Sequence, residues 1–265
     1  MAAEYEDRAA SYDRTRSASQ STLTALLDAL GEPNGRSLLD IGGGTGNYAT
    51  PLRAAGFRVV VADLSPAMLR RAQAKLGRGA IVLGDALGLP FGDGSFDCAI
   101  SVNVSHHVPD LRRHLGEARR VVGGGRFAVQ INTRENLEAH WIFEYFPQAK
   151  EPTLAFHPNA EHVERVMRSV GFQRVRRLSY VFEDQADATF EALKHRPERY
   201  LEDGYRRNTT FFTRLSADVE SAGVERLRED HASGALRAVM ARYEPQVRAA
   251  GDSTVFAGLG GDGDR

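Results

Sequence analysis

Three aspartates constrain this chain more than any other feature. Asp40, Asp63 and Asp85 each close an apolar run, and they stand 23 and 22 residues apart. That interval is the length of one strand–loop–helix unit. In a doubly wound parallel sheet the repeat sets all three carboxylates along the carboxyl edge, where ligands bind. A glycine turn follows the first of them, Asp40-Ile41-Gly42-Gly43-Gly44-Thr45-Gly46-Asn47. Glycines let the backbone bend sharply and approach a ligand with no Cβ in between.

The surrounding pattern agrees. Short apolar runs at 37–41, 57–62, 80–83, 96–102 and 126–131 read as strands. Helical stretches separate them, ending near 55, 76 and 122, with Ser65 as an N-cap ahead of Pro66 at the first helical position. Alternating apolar strands and helices imply a parallel sheet covered on both faces. Further along, 159–170 reads as an amphipathic helix, 172–182 as a strand and 253–259 as a last strand. The expected fold is therefore α/β, with a doubly wound, mostly parallel, seven-stranded sheet. Residues 2–30 read as helical, with Leu23, Leu26, Leu27 and Leu30 on one stripe. No strand is evident in 183–251. The expected organisation is an N-terminal helical segment at 1–35 over the cofactor, a core at 36–182, a helical cap at 183–251, the last core strand at 252–260 and a disordered tail at 261–265.

Charge and cysteine content narrow the function. Lys plus Arg is 34 and Asp plus Glu is 35, a formal net charge of −1. Holding nucleic acid by bulk electrostatics needs a basic excess, so no nucleic-acid partner is expected. Cys98 is the single cysteine, which excludes an internal disulfide and a multi-cysteine metal site, and no bound metal is expected. Glu4, Glu6, Asp7 and Arg8 interrupt any secretory signal, and no uncharged apolar run is long enough for a bilayer. A cytoplasmic protein without a membrane partner is expected; oligomeric state is not encoded in any of these features.

Two cofactors could use the glycine turn. Gly44-Thr45-Gly46-Asn47-Tyr48-Ala49 fits the G-x-G-x-x-A dinucleotide fingerprint, with Asp63 at a suitable distance. S-adenosylmethionine has no phosphate but carries an ammonium and a sulfonium. Asp40 would help hold that cationic part, Asp63 could accept from both ribose hydroxyls, and Asp85 could accept from the adenine amino group while the Ala86 N–H donates to a ring nitrogen. Each acid alone is equally an N-cap or a turn residue; together they favour a ligand.

At these residues the chain resembles the class I S-adenosylmethionine-dependent methyltransferases of the small-molecule branch. The matching stretches are LLDIGGGTGNYATPL (38–52), VVVADLSPAMLRRA (59–72), GDALGLPFGDGSFDCAIS (84–101), HHVPD (106–110) and GGGRFAVQIN (123–132). The resemblance is specific over 37–132, loose over 1–20 and 160–182, and poor over 183–251. It departs at GGGTG, where many members carry a Cys, Ser or Pro inside the turn. It implies Gly42, Gly44, Asp63, Leu64, Asp85 and Ala86 as cofactor contacts, with Asn103 near the methionine part. Tyr12 and Arg16, beside an N-terminal Tyr-Asp pair, would reach the methionine carboxylate, and Tyr5 the acceptor.

Methyl transfer from a sulfonium is an in-line displacement, and a base is needed only where the acceptor must lose a proton. His106 and His107 follow the fourth strand, close to the methyl in this family, and are the expected catalytic pair. Adjacent residues point apart, so one of the two is expected to reach the acceptor. His140 and His157 are the reserves. Trp141, Phe143, Tyr145 and Phe146 cluster after the fifth strand, where Trp141 and Tyr145 would face a flat or apolar acceptor; ordinary helix packing reads the cluster equally well. The reading is methyl transfer from S-adenosylmethionine to an O, N or C nucleophile on a small molecule. An NAD(P)-dependent oxidoreductase and a non-catalytic cofactor-binding module stay open as alternatives.

Overall fold

The computed structural model describes residues 16–183, 189–207 and 209–261. Seven strands form one sheet: β1 (Ser37–Ile41), β2 (Arg58–Asp63), β3 (Ile81–Leu83), β4 (Cys98–Val102), β5 (Arg126–Ile131), β6 (Arg174–Tyr180) and β7 (Ser253–Leu259). Their order is β3-β2-β1-β4-β5-β7-β6. The first five run parallel, and β7 lies antiparallel between β5 and β6. The order reverses between β1 and β4, which opens the crevice at their carboxyl ends where ligands bind in such sheets.

Strand alternation sorts the core into two layers. Leu38, Val59, Val61, Cys98, Ile100 and Ala128 face one side. They pack under α1 (Gln20–Leu30), α2 (Ala49–Ala54) and α3 (Pro66–Leu76). Leu39, Ile41, Ala99, Phe127, Val129 and Phe256 face the other. They pack under α4 (Leu111–Val122) and, after two short helices α5 (Arg134–Glu138) and α6 (Lys150–Leu154), under α7 (Ala160–Ser169). The expected caps are present. The Ser65 hydroxyl accepts from the Met68 N–H, and the Asp110 and Asn159 side chains accept from the N–H groups of Arg113 and His162.

The expected N-terminal helix is shorter in its described part. It starts at Gln20, because Ser19 turns its hydroxyl onto the Thr22 N–H and stops the helix there. Residues 2–15 lie outside the described residues. The fourth strand starts at Cys98, since the Phe96 N–H is taken by the Val121 carbonyl.

Residues 189–250 contain no strand among those described. They form short helical turns, α8 (Asp203–Arg207), α9 (Thr210–Thr213), and the longer α10 (Ala217–Ser233) and α11 (Leu236–Ala250). Their core is shared: Leu193, Tyr200, Phe211, Phe212, Val224 and Leu227 pack against Trp141, Ile142, Phe143, Tyr145 and Phe146 from the segment after β5. This corrects the expectation for Trp141 and Tyr145. Trp141 is 2% exposed and its indole N–H donates to the Lys194 carbonyl at 2.9 Å, while the Tyr145 hydroxyl donates to Asp230 at 2.7 Å. These aromatics complete an interior shared with the helical segment. No described helix is long and apolar enough to cross a membrane.

The shared interior is tightly filled. A Cβ at Gly223 of α10 would stand 2.2 Å from the Phe146 ring. Alanine gains about 1 kcal/mol of helix propensity over glycine, but overpacking a filled core costs about 1–3 kcal/mol. Gly223→Ala should therefore lower the melting temperature by a few degrees, and a calorimetric scan showing an unchanged or raised midpoint would contradict this packing.

Candidate functional site

The carboxyl edge brings the first two aspartates together under the glycine turn. Asp40, on β1, is 2% exposed, and its Oδ2 has no hydrogen-bond partner among the described residues. A Cβ at Gly43 would lie 2.5 Å from the Asp40 carboxyl, so only glycine lets the turn close over it. Gly42 adopts φ 69°, and its N–H donates to the Ala62 carbonyl at 2.7 Å, which ties the turn to β2. Asp63 ends β2 facing the same turn. Its Oδ2 accepts from the Gly44 N–H at 2.9 Å and its Oδ1 from the Ser65 N–H at 2.8 Å.

Burial drives the electrostatics. Desolvation, with the Asp63 charge adding to it, raises the Asp40 pKa to about 7. Asp63 is also raised by burial, against the opposing pull of the Ser65, Gly44 and Leu64 N–H groups. A buried carboxylate with an unused oxygen under a turn of small residues suits a cationic ligand group.

The third aspartate sits further out. Asp85 is exposed, and its Oδ1 accepts from the Leu87 N–H at 2.9 Å in a local turn. Ala86 follows, its carbonyl 3.4 Å from His114 Nδ1. Leu64 is 49% exposed, leaving apolar surface beside Asp63. Helix α2 has only six residues and its cap position, Tyr48, makes no side-chain cap. That short, uncapped helix gives little dipole for the pyrophosphate of the dinucleotide alternative.

Asn103 follows β4 in a left-handed conformation, φ 58°, and its N–H donates to Gln130 Oε1 at 3.0 Å. Arg16 reaches the same region: its carbonyl accepts from Asn47 Nδ2 at 2.9 Å, and its charge acts on His106. Tyr5 and Tyr12 lie outside the described residues.

Residues Ser105–His107 form a single 3₁₀ turn. The two imidazoles do not point apart: their ring centroids are 3.9 Å from one another. Side-chain alternation belongs to extended strands, and a tight turn sets neighbours side by side instead. The His107 N–H donates to the Val104 carbonyl. His106 is solvent-accessible at the mouth of a cleft of about 310 Å³, lined also by Ser105, Leu111, Asn132, Phe156, His157 and His162. Crowding by the cleft walls, then the positive neighbours His107, His157 and Arg16, lower its pKa to about 3. His157 Nδ1 is 3.1 Å from the Asn132 carbonyl; an oxygen only accepts, so Nδ1 carries the hydrogen. His140 is elsewhere, fully buried in the helical interior with Nε2 3.1 Å from the Tyr200 hydroxyl. Among the described residues no group of three or more His, Cys, Asp or Glu side chains converges to hold a metal ion.

Sequence reasoning missed a polar network at the same edge. Gln130, 4% exposed, donates through Nε2 to Asn132 Oδ1 at 2.8 Å and to Ser253 Oγ at 2.5 Å. The Ser253 hydroxyl donates to Asn132 Oδ1 at 2.7 Å. The one local signal was a glutamine inside the apolar run of β5.

Comparison with known proteins shows where the chain and its fold recur. Residues 39–129 match the methyltransferase-domain family. A ubiquinone/menaquinone biosynthesis C-methyltransferase, UbiE, of Paracoccus denitrificans is 44% identical over 136 residues, covering 46% of this chain and 53% of that protein. The chain thus spans about half the length of that relative. A crystal structure from Anabaena variabilis, described as a methyltransferase of an antibiotic biosynthesis pathway, superposes with a TM-score of 0.75 at 24% identity, over 92% of this chain and 98% of that one. A Thermotoga maritima S-adenosylmethionine-dependent methyltransferase superposes with a TM-score of 0.51 at 29% identity, over 69% and 83%.

The Asp40 environment has a measurable signature. The folded pKa, about 7, exceeds the ordinary 3.8, so folding is penalised increasingly as pH rises between those values and fully above them. Asp40→Asn should therefore stabilise the ligand-free protein against urea by about 1–3 kcal/mol at pH 8. The gain should shrink as the pH approaches about 4. A gain that is constant across that range would show that Asp40 is not desolvated as described.

Proposed function

We propose that this chain, whose residues 39–129 match a methyltransferase-domain family, is a class I S-adenosylmethionine-dependent enzyme that transfers a methyl group to a small-molecule acceptor. The observation that carries the reading is the buried Asp40 oxygen without a donor, beneath a glycine turn that Asp63 closes. S-adenosylmethionine supplies a methyl group already activated on a sulfonium, so the protein contributes chiefly alignment and a dry setting.

The residues fit that cofactor. Asp40 offers negative charge to its cationic amino-acid part. Asp63 accepts from the backbone through both oxygens, and its remaining lone-pair capacity would serve the ribose hydroxyls. The free oxygen of Asp85, the Ala86 N–H and the exposed Leu64 side chain would frame the adenine. Asn103 would meet the methionine part, with Arg16 near its carboxylate.

The cleft beside His106 would take the acceptor. Its volume of about 310 Å³ suits a small molecule, and none of its lining residues is acidic. With its pKa lowered from the ordinary imidazole value, His106 is uncharged at neutral pH. Its role on this reading is to hydrogen-bond and orient the acceptor, with His107 supporting the ring. The relative named for quinone biosynthesis supports a small organic acceptor. The net charge of −1 supports no nucleic acid.

Calorimetric titration tests the reading. Wild-type protein should bind S-adenosylhomocysteine and ignore NAD. Asp63→Ala should weaken that binding by tenfold or more, because each hydrogen bond to a charged acceptor contributes about 1.5–3 kcal/mol. A loss under about threefold would remove Asp63 from the ribose site.

A further inference from the structure

One cluster of titratable groups plays no part in the reading so far. Asp252, directly ahead of β7, is 0% exposed. Its Oδ1 lies 2.8 Å from Lys194 Nζ, and its Oδ2 lies 2.6 Å from His195 Nε2 and accepts from the Phe182 N–H at 3.0 Å. Lys194 is itself buried, whereas a third of the His195 side chain, 33%, is open. Burial pushes the Asp252 carboxyl up, but the His195 hydrogen bond and the Lys194 charge outweigh it and hold it ionised, at about 2. A carboxylate only accepts, so His195 Nε2 carries the hydrogen, and Nδ1 is the ring nitrogen left to act as an acceptor. That nitrogen has no protein partner among the described residues.

The position matters as much as the chemistry. Thr254 pairs with Ile131, the last residue of β5, so Asp252 stands at the carboxyl edge of the sheet. From Asn103, contacts run through Gln130 to Ser253, the neighbour of Asp252 in the chain. Anchoring the helical segment to β7 needs only the Lys194–Asp252 pair. A second basic group on the other oxygen, partly open and with a bare nitrogen, exceeds what anchoring requires. It has instead the parts of an oriented base: an imidazole, and a buried carboxylate that sets its tautomer.

We propose that His195, held by Asp252, is the group that takes the proton from a hydroxyl or enol acceptor at this edge. This rests on the methyl-transfer reading above. The acceptor O–H bond breaks, its proton forms an N–H bond on His195 Nδ1, and the electron pair stays with the acceptor as the attacking nucleophile. Asp252 balances the positive charge on the ring, and the proton later leaves to water. Lys194, on the same turn, His140, from the segment after β5, and Tyr200, whose hydroxyl meets His140, are other titratable groups facing the pair. His106 is left to orient the acceptor.

The test uses 4-nitrophenol, whose ionised form is yellow, with the full chain saturated by S-adenosylhomocysteine. At about one unit below the phenol's own pKa, binding to wild type should raise the phenolate absorbance. His195→Ala should cut that rise roughly tenfold. Free imidazole should restore it, while S-adenosylhomocysteine affinity and melting temperature stay near wild type. His106→Ala should keep the ionised fraction of bound phenol. Asp252→Asn, which also breaks the Lys194 pair, is scored only where its melting remains cooperative, and there it should behave as His195→Ala. If phenolate forms equally in His195→Ala, or vanishes in His106→Ala alone, the assignment to His195 is wrong. If wild type binds S-adenosylhomocysteine but never ionises the phenol, the base proposal falls alone; if it does not bind S-adenosylhomocysteine, the proposed function falls with it.

Discussion

Withdrawing a carboxylate from water without giving it a partner costs several kcal/mol, and a fold tolerates this only where something else depends on it. Asp40 is in that position, on the central strand β1, with the glycine turn drawn over it and Asp63 leaning in from β2. The turn takes its shape from this arrangement: Gly43 must lack a side chain to clear the carboxyl, and Gly44 must offer its N–H to Asp63. The crevice between β1 and β4 is open because the strand order reverses there, and Asp40 lies buried beneath the turn at that opening.

Much of the sheet was legible because its signals are local. Each strand of the parallel half is a short apolar run, and several helix starts carry their own cap, as at Ser65, Asp110 and Asn159. The pairing of Asp40 and Asp63 could be read from interval alone, since one βαβ unit always returns the chain to the same edge. The Gln130–Ser253 contact could not, because the residues are 123 positions apart and meet only when β7 inserts beside β5. Lys194, His195 and Asp252 were illegible for the same reason. Trp141 and Tyr145 misled because an aromatic run reads alike whether it lines a pocket or fills an interior. What decided it was the interior offered by 189–250, a property of another part of the chain.

The helical segment is therefore less separate than its position in the sequence suggests. Its interior is completed by residues that follow β5, and its first turn is pinned to β7 through Lys194 and Asp252. The Anabaena structure superposes over 92% of this chain, helical segment included, whereas the UbiE match covers only 46% of it. Packing constraints can keep such a segment in place while its sequence drifts, because core residues tolerate exchange as long as volume and pattern are kept.

The antiparallel seat of β7 also orders events during synthesis. β7 is the last of the seven strands in chain order, yet it is an interior strand, flanked by β5 and β6. Until residues 253–259 emerge, β5 has a bare edge and β6 has no neighbour in the sheet. Open edges of this kind recruit other chains. The nascent protein thus passes through a late stage of translation with an unsealed sheet beside a helical segment that cannot yet be tethered. One short strand closes both gaps together: it zips β5 to β6 and delivers Asp252 to Lys194. Ribosome stalling or truncation just ahead of β7 would be far more damaging than the few missing residues suggest.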